Sequence, residues 1–198
     1  MAFDSLRDTI DGVAIGTSAG GIDALSVLLP ALPPTLQAAV FVVIHLPRER
    51  RSLLVDVFQP KCAVPVREAL DKDVVEPGTV YFAPPDYHLL IDRGPQLALS
   101  ADDLVNFSRP SVDVLFESAA DVYGDRLLGI ILTGASKDGA LGLDAVRRAG
   151  GRTVVQRPDT AQVPAMVESA LQRGPVDYVL SLDEIAALLR TLDGGSAR

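Results

Sequence analysis

The feature that most constrains the fold of this chain is the alternation of short apolar runs with segments of helical periodicity. Continuous apolar runs at 12–16, 38–44 and 127–133 have the composition of strands that are buried on both faces of a sheet. Between them lie amphipathic patterns, such as the apolar stripe at 112–123 that follows Pro110. Strands that alternate with helices form parallel sheets covered by helices on both faces. The sequence therefore predicts an α/β protein with a doubly wound, mostly parallel sheet.

The remaining elements follow from the same patterns. Helices are predicted near 20–30, 50–58, 140–150, 164–172 and 182–191, and further strands near 64–68, 152–156 and 176–180. Pro65 places the strand at 64–68 at or near a sheet edge, because proline cannot donate to a ladder. Three short runs at 79–83, 88–92 and 97–99 predict an inserted β-hairpin or meander. With a strand order of 3-2-1-4-5-6, strand one lies between strands two and four.

Length and composition indicate the class of protein. A chain of 198 residues with 48% hydrophobic content is expected to form a single domain over 1–198, with frayed tails at 1–9 and 192–198. Short apolar runs and the absence of a signal-peptide pattern predict a cytoplasmic location without membrane insertion. A net charge of −8 argues against a nucleic-acid partner. Cys62 and two histidines make no metal-ligand pattern, and Cys62 is expected to be a packing residue.

A glycine-rich turn carries the first candidate for chemistry. Ser18 lies in the run Gly16-Thr17-Ser18-Ala19-Gly20-Gly21, where the first strand turns into a helix. Small residues allow a tight bend, and the first free amides of the helix face any negative charge that develops beside the hydroxyl. The G-x-S-x-G pattern at such a turn is typical of a nucleophile. A plain strand–helix turn and a phosphate-binding loop are the alternatives.

Two further polar residues follow buried strands. His45 ends the run at 38–44, and Asp138 lies in the loop after 127–133. The carboxyl ends of strands in a doubly wound sheet meet at the crevice where ligands bind. A serine nucleophile needs a base, and an imidazole base needs an acceptor that orients it. Each residue alone fits a structural role, as a strand-end histidine or a helix-capping aspartate, but together Ser18, His45 and Asp138 favour a catalytic triad.

Other residues offer alternative chemistry. His88 could also serve as a base, but it lies in the inserted hairpin, so we expect it to be structural or to line the substrate groove. Lys137 beside Asp138 suggests a Ser–Lys pair, which ranks lower because lysines are common at helix starts. A nucleotide site would need an acidic ribose partner after strand two, where the sequence reads Ile44-His45-Leu46.

Five ordered blocks of the chain carry a resemblance to a known family. The blocks lie at 16–21, 43–47, 81–88, 109–116 and 129–142. Together they resemble the catalytic domain of the chemotaxis protein-glutamate methylesterases, the CheB family, and the resemblance spans nearly the whole chain. The chain order Ser, His, Asp separates it from the α/β-hydrolases, in which the order is Ser, Asp, His.

This resemblance implies an activity and roles for five residues. The activity is hydrolysis of γ-glutamyl methyl esters on the helices of methylated chemoreceptor-like proteins, together with deamidation of selected glutamines. Ser18 would be the nucleophile, His45 the general base and acid, and Asp138 the carboxylate that orients His45. Backbone amides at Ala19 and Ala135 would form the oxyanion hole. No metal or cofactor is implied.

The chain departs from the family pattern at several positions. It begins close to strand one, so we expect a stand-alone form without a receiver domain, controlled, if at all, by a separate regulatory or receiver protein. Ala19 and Ala135 replace a threonine and a methionine that are frequent in the family, which enlarges the expected pocket. Arg48, in an arginine-rich stretch, is a candidate for the substrate groove together with His88 and Arg109. The competing hypothesis is a catalytically silent module of the same fold that docks helical partners.

Overall fold

A parallel sheet of seven strands forms the centre of the molecule. The computed structural model describes residues 9–46 and 52–192. The strands of the sheet are β1 (Gly12–Thr17), β2 (Ala39–Ile44), β3 (Val66–Glu68), β4 (Val80–Phe82), β7 (Leu127–Ile131), β8 (Arg152–Gln156) and β9 (Tyr178–Leu180). A separate antiparallel hairpin consists of β5 (His88–Asp92) and β6 (Gln96–Ser100). The helices are α1 (Gly21–Leu28), α2 (Leu54–Phe58), α3 (Val112–Tyr123), α4 (Ala140–Arg148), α5 (Ala165–Arg173) and α6 (Leu182–Arg190).

The strand order is β3-β4-β2-β1-β7-β8-β9, with every neighbouring pair parallel. The predicted α/β class and doubly wound parallel sheet are therefore confirmed. Strand β1 lies between β2 and the next long buried strand, β7, as the predicted order required. Strand β3 is an edge strand, as expected for a segment that follows Pro65.

The run at 79–83 belongs to the main sheet, so the prediction that it is part of the inserted unit is wrong. It forms β4, which pairs in parallel with both β2 and β3 and so adds a strand that the order 3-2-1-4-5-6 lacks. The inserted unit is the hairpin of β5 and β6, whereas a three-stranded meander was one of the predicted forms. The proline-rich stretch 84–86 gives a local turn signal, but local turns do not specify which long-range partner a strand takes.

Alternating side chains of the central strands fill two separate cores. Val13 and Ile15 of β1 point to the face covered by α1 and α6, where Leu25 and Leu188 also lie. Ala14 points to the opposite face, which α3, α4, α5 and the hairpin cover. Because helices cover both faces, the sheet is open at the two ends of its strands. The predicted site residues lie at the carboxyl ends of the strands.

The chain ends are described only in part. The expected tail at 1–9 lies outside the described residues except for Thr9, and the tail at 192–198 lies outside them except for Leu192. Leu192 is buried against the α1 and α6 core, so it belongs to the folded domain rather than to a frayed tail. Among the described residues, no helix is both long enough and apolar enough to cross a membrane.

Candidate active site

Ser18 lies where the central strand β1 turns into helix α1. Its backbone N–H donates to Thr133 O at 3.1 Å, which ties the turn to the end of β7. Gly20 has φ of 81°, in the left-handed region that favours glycine, and it is the N-cap of α1. Ser18 is half-buried, and within the described part of the chain its hydroxyl has no hydrogen-bond partner. The hydroxyl is therefore free to turn toward a base or a substrate.

His45 follows β2, the strand beside β1. The last parallel pair of these strands is Thr17 with Ile44, and His45 N donates to Thr17 O at 3.2 Å. Ser18 and His45 are the next residues on the two strands, so their Cα atoms lie about 5 Å apart, the spacing of neighbouring strands. The His45 side chain is 14% exposed. The imidazole is thus beside the serine and partly open to the crevice.

The His45 ring is oriented by Asp138. Its Nε2 lies 2.9 Å from Asp138 Oδ2. An ionised carboxylate only accepts hydrogen bonds, so Nε2 carries the proton, and Nδ1 keeps the lone pair that can accept the proton of Ser18. In the chymotrypsin triad the carboxylate contacts Nδ1 of the histidine, whereas here it contacts Nε2.

The Asp138 carboxylate is fully buried and is surrounded by donors. It accepts hydrogen bonds from His45 Nε2, from Val112 N at 2.6 Å, from Ser111 Oγ at 2.7 Å, from Asn106 Nδ2 at 3.0 Å and from Asp113 N at 3.3 Å. Two of these donors are the first backbone amides of α3, so the positive end of that helix also faces the charge. The charged form of Asp138 is therefore stabilised from several sides.

The pKa of Asp138 depends on two opposing effects, burial and hydrogen bonding. Burial alone raises the pKa of a carboxyl group, because it penalises the charged form. Here the hydrogen bonds from His45, Val112 N, Asn106 and Ser111 outweigh burial and lower the pKa of Asp138 below its ordinary value. The residue is therefore ionised at neutral pH and able to stabilise an imidazolium at His45.

Asn106 joins Asp138 to a second buried carboxylate. Its amide nitrogen donates to Asp138 Oδ1 at 3.0 Å and to Asp113 Oδ2 at 2.7 Å. Asp113 Oδ1 accepts from Gly142 N at 2.7 Å, in the first turn of α4. Burial raises the pKa of Asp113, and the neighbouring charge of Asp138 contributes in the same direction. The amide of Asn106 thus separates two acidic groups that would otherwise repel each other.

The two predicted oxyanion-hole residues lie in neighbouring loops. Ala19 and Ala135 are both exposed. Gly134 packs so close to the serine turn that a Cβ placed on it would lie 2.9 Å from Ser18 Cβ, and would also meet Met166 Sδ. Among the hydrogen bonds of the described residues, none has the Ala19 or Ala135 amide as donor. Two amides beside the serine are therefore available to an oxyanion.

Thr133 connects the two loops, a role that no pattern in the sequence indicates. Its hydroxyl donates to Ala19 O at 2.9 Å and accepts from Val163 N at 2.9 Å, while its carbonyl accepts from Thr17 Oγ1 at 2.8 Å. Asn106 and Ser111 were also missed. The only local signal was the serine at the start of the helical stripe at 112–123, which is the position of an N-cap.

Two of the three residues proposed for the substrate groove make contacts within the domain. His88 is buried, its Nδ1 accepts from Ser111 N at 3.1 Å, and its Nε2 donates to Asp103 O at 3.0 Å, an environment that fits the structural role. The Arg109 guanidinium is engaged with Asp86 and with backbone carbonyls. Arg48 lies outside the described residues.

The remaining candidates fit surface or packing roles. Lys137 is exposed. Burial raises the pKa of the Cys62 thiol although Lys61 is adjacent, which fits the expected packing role. A cavity of about 640 Å³ lies at the amino ends of the strands, with Asp11 and Ala39 in its wall. It is therefore at the opposite end of the strands from Ser18. Within 9–46 and 52–192 no group of three His, Cys, Asp or Glu side chains is placed to hold a metal ion.

A half-buried serine beside a His–Asp pair, at the carboxyl ends of adjacent parallel strands, is typical of serine hydrolases. Comparison with known proteins narrows this class. A family model described as CheB methylesterase matches residues 13–189. The catalytic domain of the Thermotoga maritima CheB methylesterase has a crystal structure that superposes with a TM-score of 0.88 at 34% identity, covering 92% of this chain and 98% of that one.

Similar sequences agree with this family. A Chromobacterium violaceum protein named protein-glutamate methylesterase/protein-glutamine glutaminase 1 is 40% identical over 195 residues, which are 97% of this chain and 54% of that protein. A Leptospira interrogans protein is named "Putative protein-glutamate methylesterase/protein-glutamine glutaminase". It is 44% identical over 183 residues, which are 92% of this chain and 95% of that protein. The chain belongs to the CheB methylesterase family.

Proposed function

We propose that this chain is a protein-glutamate methylesterase that hydrolyses γ-glutamyl methyl esters on methylated chemoreceptor-like proteins, with glutamine deamidation as a second reaction of the same site. The observation that carries the proposal is the placement of Ser18 beside His45, each one residue beyond the last pair of β1 and β2, together with the hydrogen bond from His45 Nε2 to the ionised Asp138. The family and the names of its members support the substrate class.

The first half of the reaction forms an acyl-enzyme. Ser18 Oγ attacks the ester carbonyl carbon while His45 Nδ1 takes the hydroxyl proton. The carbonyl oxygen becomes an oxyanion that the amides of Ala19 and Ala135 would bind, and losing one such donor usually costs about 2.7–4 kcal/mol of transition-state stabilisation. The intermediate collapses with transfer of the Nδ1 proton to the methoxy oxygen, and methanol leaves.

The second half regenerates the enzyme. A water molecule gives a proton to His45 Nδ1 and attacks the acyl carbon, and the acid product leaves with the proton returned to Ser18 Oγ. Asp138 keeps its negative charge throughout and stabilises the imidazolium at both stages. With a glutamine side chain the leaving group is ammonia instead of methanol, and the positions of the catalytic groups are unchanged.

Methanol release from a methylated chemoreceptor fragment tests the proposal. The wild-type chain should release methanol, and Ser18→Ala should slow the release by about 10⁴-fold or more. Ser26→Ala is the matched control, because Ser26 lies on α1 and donates only to Ile22 O of its own helix. Full activity in Ser18→Ala would show that the triad is wrong. A wild-type chain that binds the fragment but releases no methanol would instead be the silent docking module.

A further inference from the structure

The segment 161–166, here called the entry segment, leads into helix α5 beside the candidate active site and includes the first two residues of that helix. Its Val163 O accepts a hydrogen bond from Gly134 N at 2.9 Å, and its Met166 N donates to Gly134 O at 3.0 Å. Both backbone polar groups of Gly134 are thus bound to this segment. The loop that carries the amide of Ala135 is therefore fixed to the start of α5.

The peptide unit between Gly134 and Ala135 connects α5 to the predicted oxyanion hole. A peptide unit is planar, and in its trans form the C=O and N–H groups point in opposite directions. The carbonyl of this unit is Gly134 O, which accepts from Met166 N. Its N–H belongs to Ala135, and among the hydrogen bonds of the described residues none has this N–H as donor. The bond that holds the carbonyl therefore also fixes the direction of the free N–H.

The first turn of α5 also strengthens this N–H as a donor. Met166 N is one of the first backbone amides of α5, which have no partner within their own helix and carry the positive end of its dipole. A hydrogen bond to the carbonyl of a peptide polarises the whole unit, because hydrogen bonds in series reinforce one another. The positive end of α5 is thus separated from the Ala135 N–H by a single peptide unit.

The Met166 side chain packs against both the oxyanion loop and the serine turn. Met166 is 1% exposed, so it is closed off from solvent. A Cβ placed on Gly134 would lie 2.4 Å from Met166 Sδ and 2.9 Å from Ser18 Cβ. The sulfur can therefore be no farther from Ser18 Cβ than the sum of these two distances. Removal of the Met166 side chain would leave a space beside the nucleophile and beside the loop that carries the Ala135 amide.

On this basis, and resting on the proposed function, we infer that Met166 is a positioning residue for the oxyanion hole and that the first turn of α5 stabilises the oxyanion through the Gly134–Ala135 peptide. Met166 is buried, so it acts on the Ala135 amide and not on the substrate directly. The negative charge on the carbonyl oxygen develops only as Ser18 attacks. Loss of Met166 should therefore weaken binding of the transition state and leave binding of the ester unchanged.

Methanol release measured over a range of concentrations of a methylated chemoreceptor fragment tests this inference. Met166→Ala should lower kcat about 100-fold with little change in KM, because a shift of about 1 Å in a catalytic group has an effect of this size. Met166→Leu keeps most of the volume and should retain kcat to within about threefold. Val167→Ala is the matched control, since Val167 is the next residue of α5 and is fully buried, but it is not among the nearest neighbours of Gly134. It should lower thermal stability and leave kcat unchanged.

A second measurement separates positioning from folding. A peptide with a trifluoromethyl ketone in place of the methyl ester group imitates the transition state, because Ser18 Oγ adds to the ketone carbon, its proton passes to His45, and the former carbonyl oxygen becomes an oxyanion. Met166→Ala should bind this ketone about 100-fold more weakly than the wild type does, and bind the acid product peptide equally well.

Three results would overturn the inference and leave the methylesterase proposal intact. They are normal kcat in Met166→Ala, an equal loss of kcat in Met166→Ala and Val167→Ala, and an equal loss of affinity for the ketone and for the acid product. If the wild-type chain releases no methanol, the proposed function fails and the inference fails with it.

Discussion

At the scale of single residues, the site is organised around the Asp138 carboxylate. Five donors converge on it, and they come from His45 at the end of β2, from Asn106 in the segment before α3, and from the start of α3. Only one of these contacts belongs to the catalytic residues themselves. The others make it possible for a buried group to remain charged, which a triad carboxylate must do. Among these donors, Asn106 also donates a hydrogen bond to a second carboxylate, that of Asp113.

Removing the Asn106 amide should therefore slow catalysis without weakening substrate binding. Asn106→Ala deletes a hydrogen bond to an ionised group, worth about 1.5–3 kcal/mol, and so should lower kcat about 10- to 100-fold with little change in KM. Asn106→Gly is the matched variant, because glycine adopts φ of 49° without strain. It should be as slow as Asn106→Ala but more stable in thermal unfolding. Normal kcat in both variants would contradict a positioning role.

At the level of secondary-structure elements, the start of helix α3 both caps the helix and binds the Asp138 carboxylate. Ser111 is its N-cap and accepts from Val114 N, and the same hydroxyl donates to Asp138 Oδ1. The first backbone amides of the helix also bind the carboxylate. A structural cap and a triad contact therefore depend on one side chain.

The two tasks can be separated by comparing two caps. Ser111→Ala should lower the free energy of unfolding by about 1 kcal/mol, as loss of an N-cap does, and should also lower kcat because Asp138 loses a donor. Ser181→Ala removes the cap of α6, which has a complete capping box with Glu184 and makes no contact with the triad. It should cost similar stability in denaturant unfolding and leave kcat as in the wild type. Equal kcat in the two variants would refute the link between the cap and the site.

The sequence predicts the elements of this protein better than their pairing. The sequence predicts that Ser18, His45 and Asp138 lie at one end of the sheet, because each follows a buried strand and the carboxyl ends of parallel strands lie together. Strand β4 was misplaced because its parallel partners β2 and β3 are chosen by long-range burial, which a local turn signal does not report. Asn106 was missed for a similar reason, since an asparagine in an irregular segment shows no pattern until the fold brings it to Asp138.

At the scale of the whole molecule, the same carboxylate couples folding to pH. Asp138 has a pKa lower in the native protein than in the unfolded chain. The ionised group therefore stabilises the native state fully above about pH 4, the ordinary range of aspartate. This contribution is lost as the pH falls through the lowered native pKa. Asp113 works in the opposite direction, because burial raises its pKa and its ionisation is disfavoured in the folded protein.

The variant Asp138→Asn isolates this effect. The difference in free energy of unfolding between wild type and variant should be largest near neutral pH and should shrink as the pH is lowered below about 4. Urea unfolding at a series of pH values measures it. A difference that stays constant over this range would mean that Asp138 is not held in its charged form by the network around it.

In the proposed reaction, Ser18 is the nucleophile, and His45 and Asp138 activate it. Intact-protein and peptide mass spectrometry after treatment with a serine-directed phosphonate measures this most directly, with methanol release followed in the same samples. We expect one phosphonyl group per chain, located on Ser18, with methanol release lost in proportion to labelling and labelling greatly slowed in His45→Ala. Labelling of a different residue, or methanol release that persists when Ser18 is fully modified, would contradict the account.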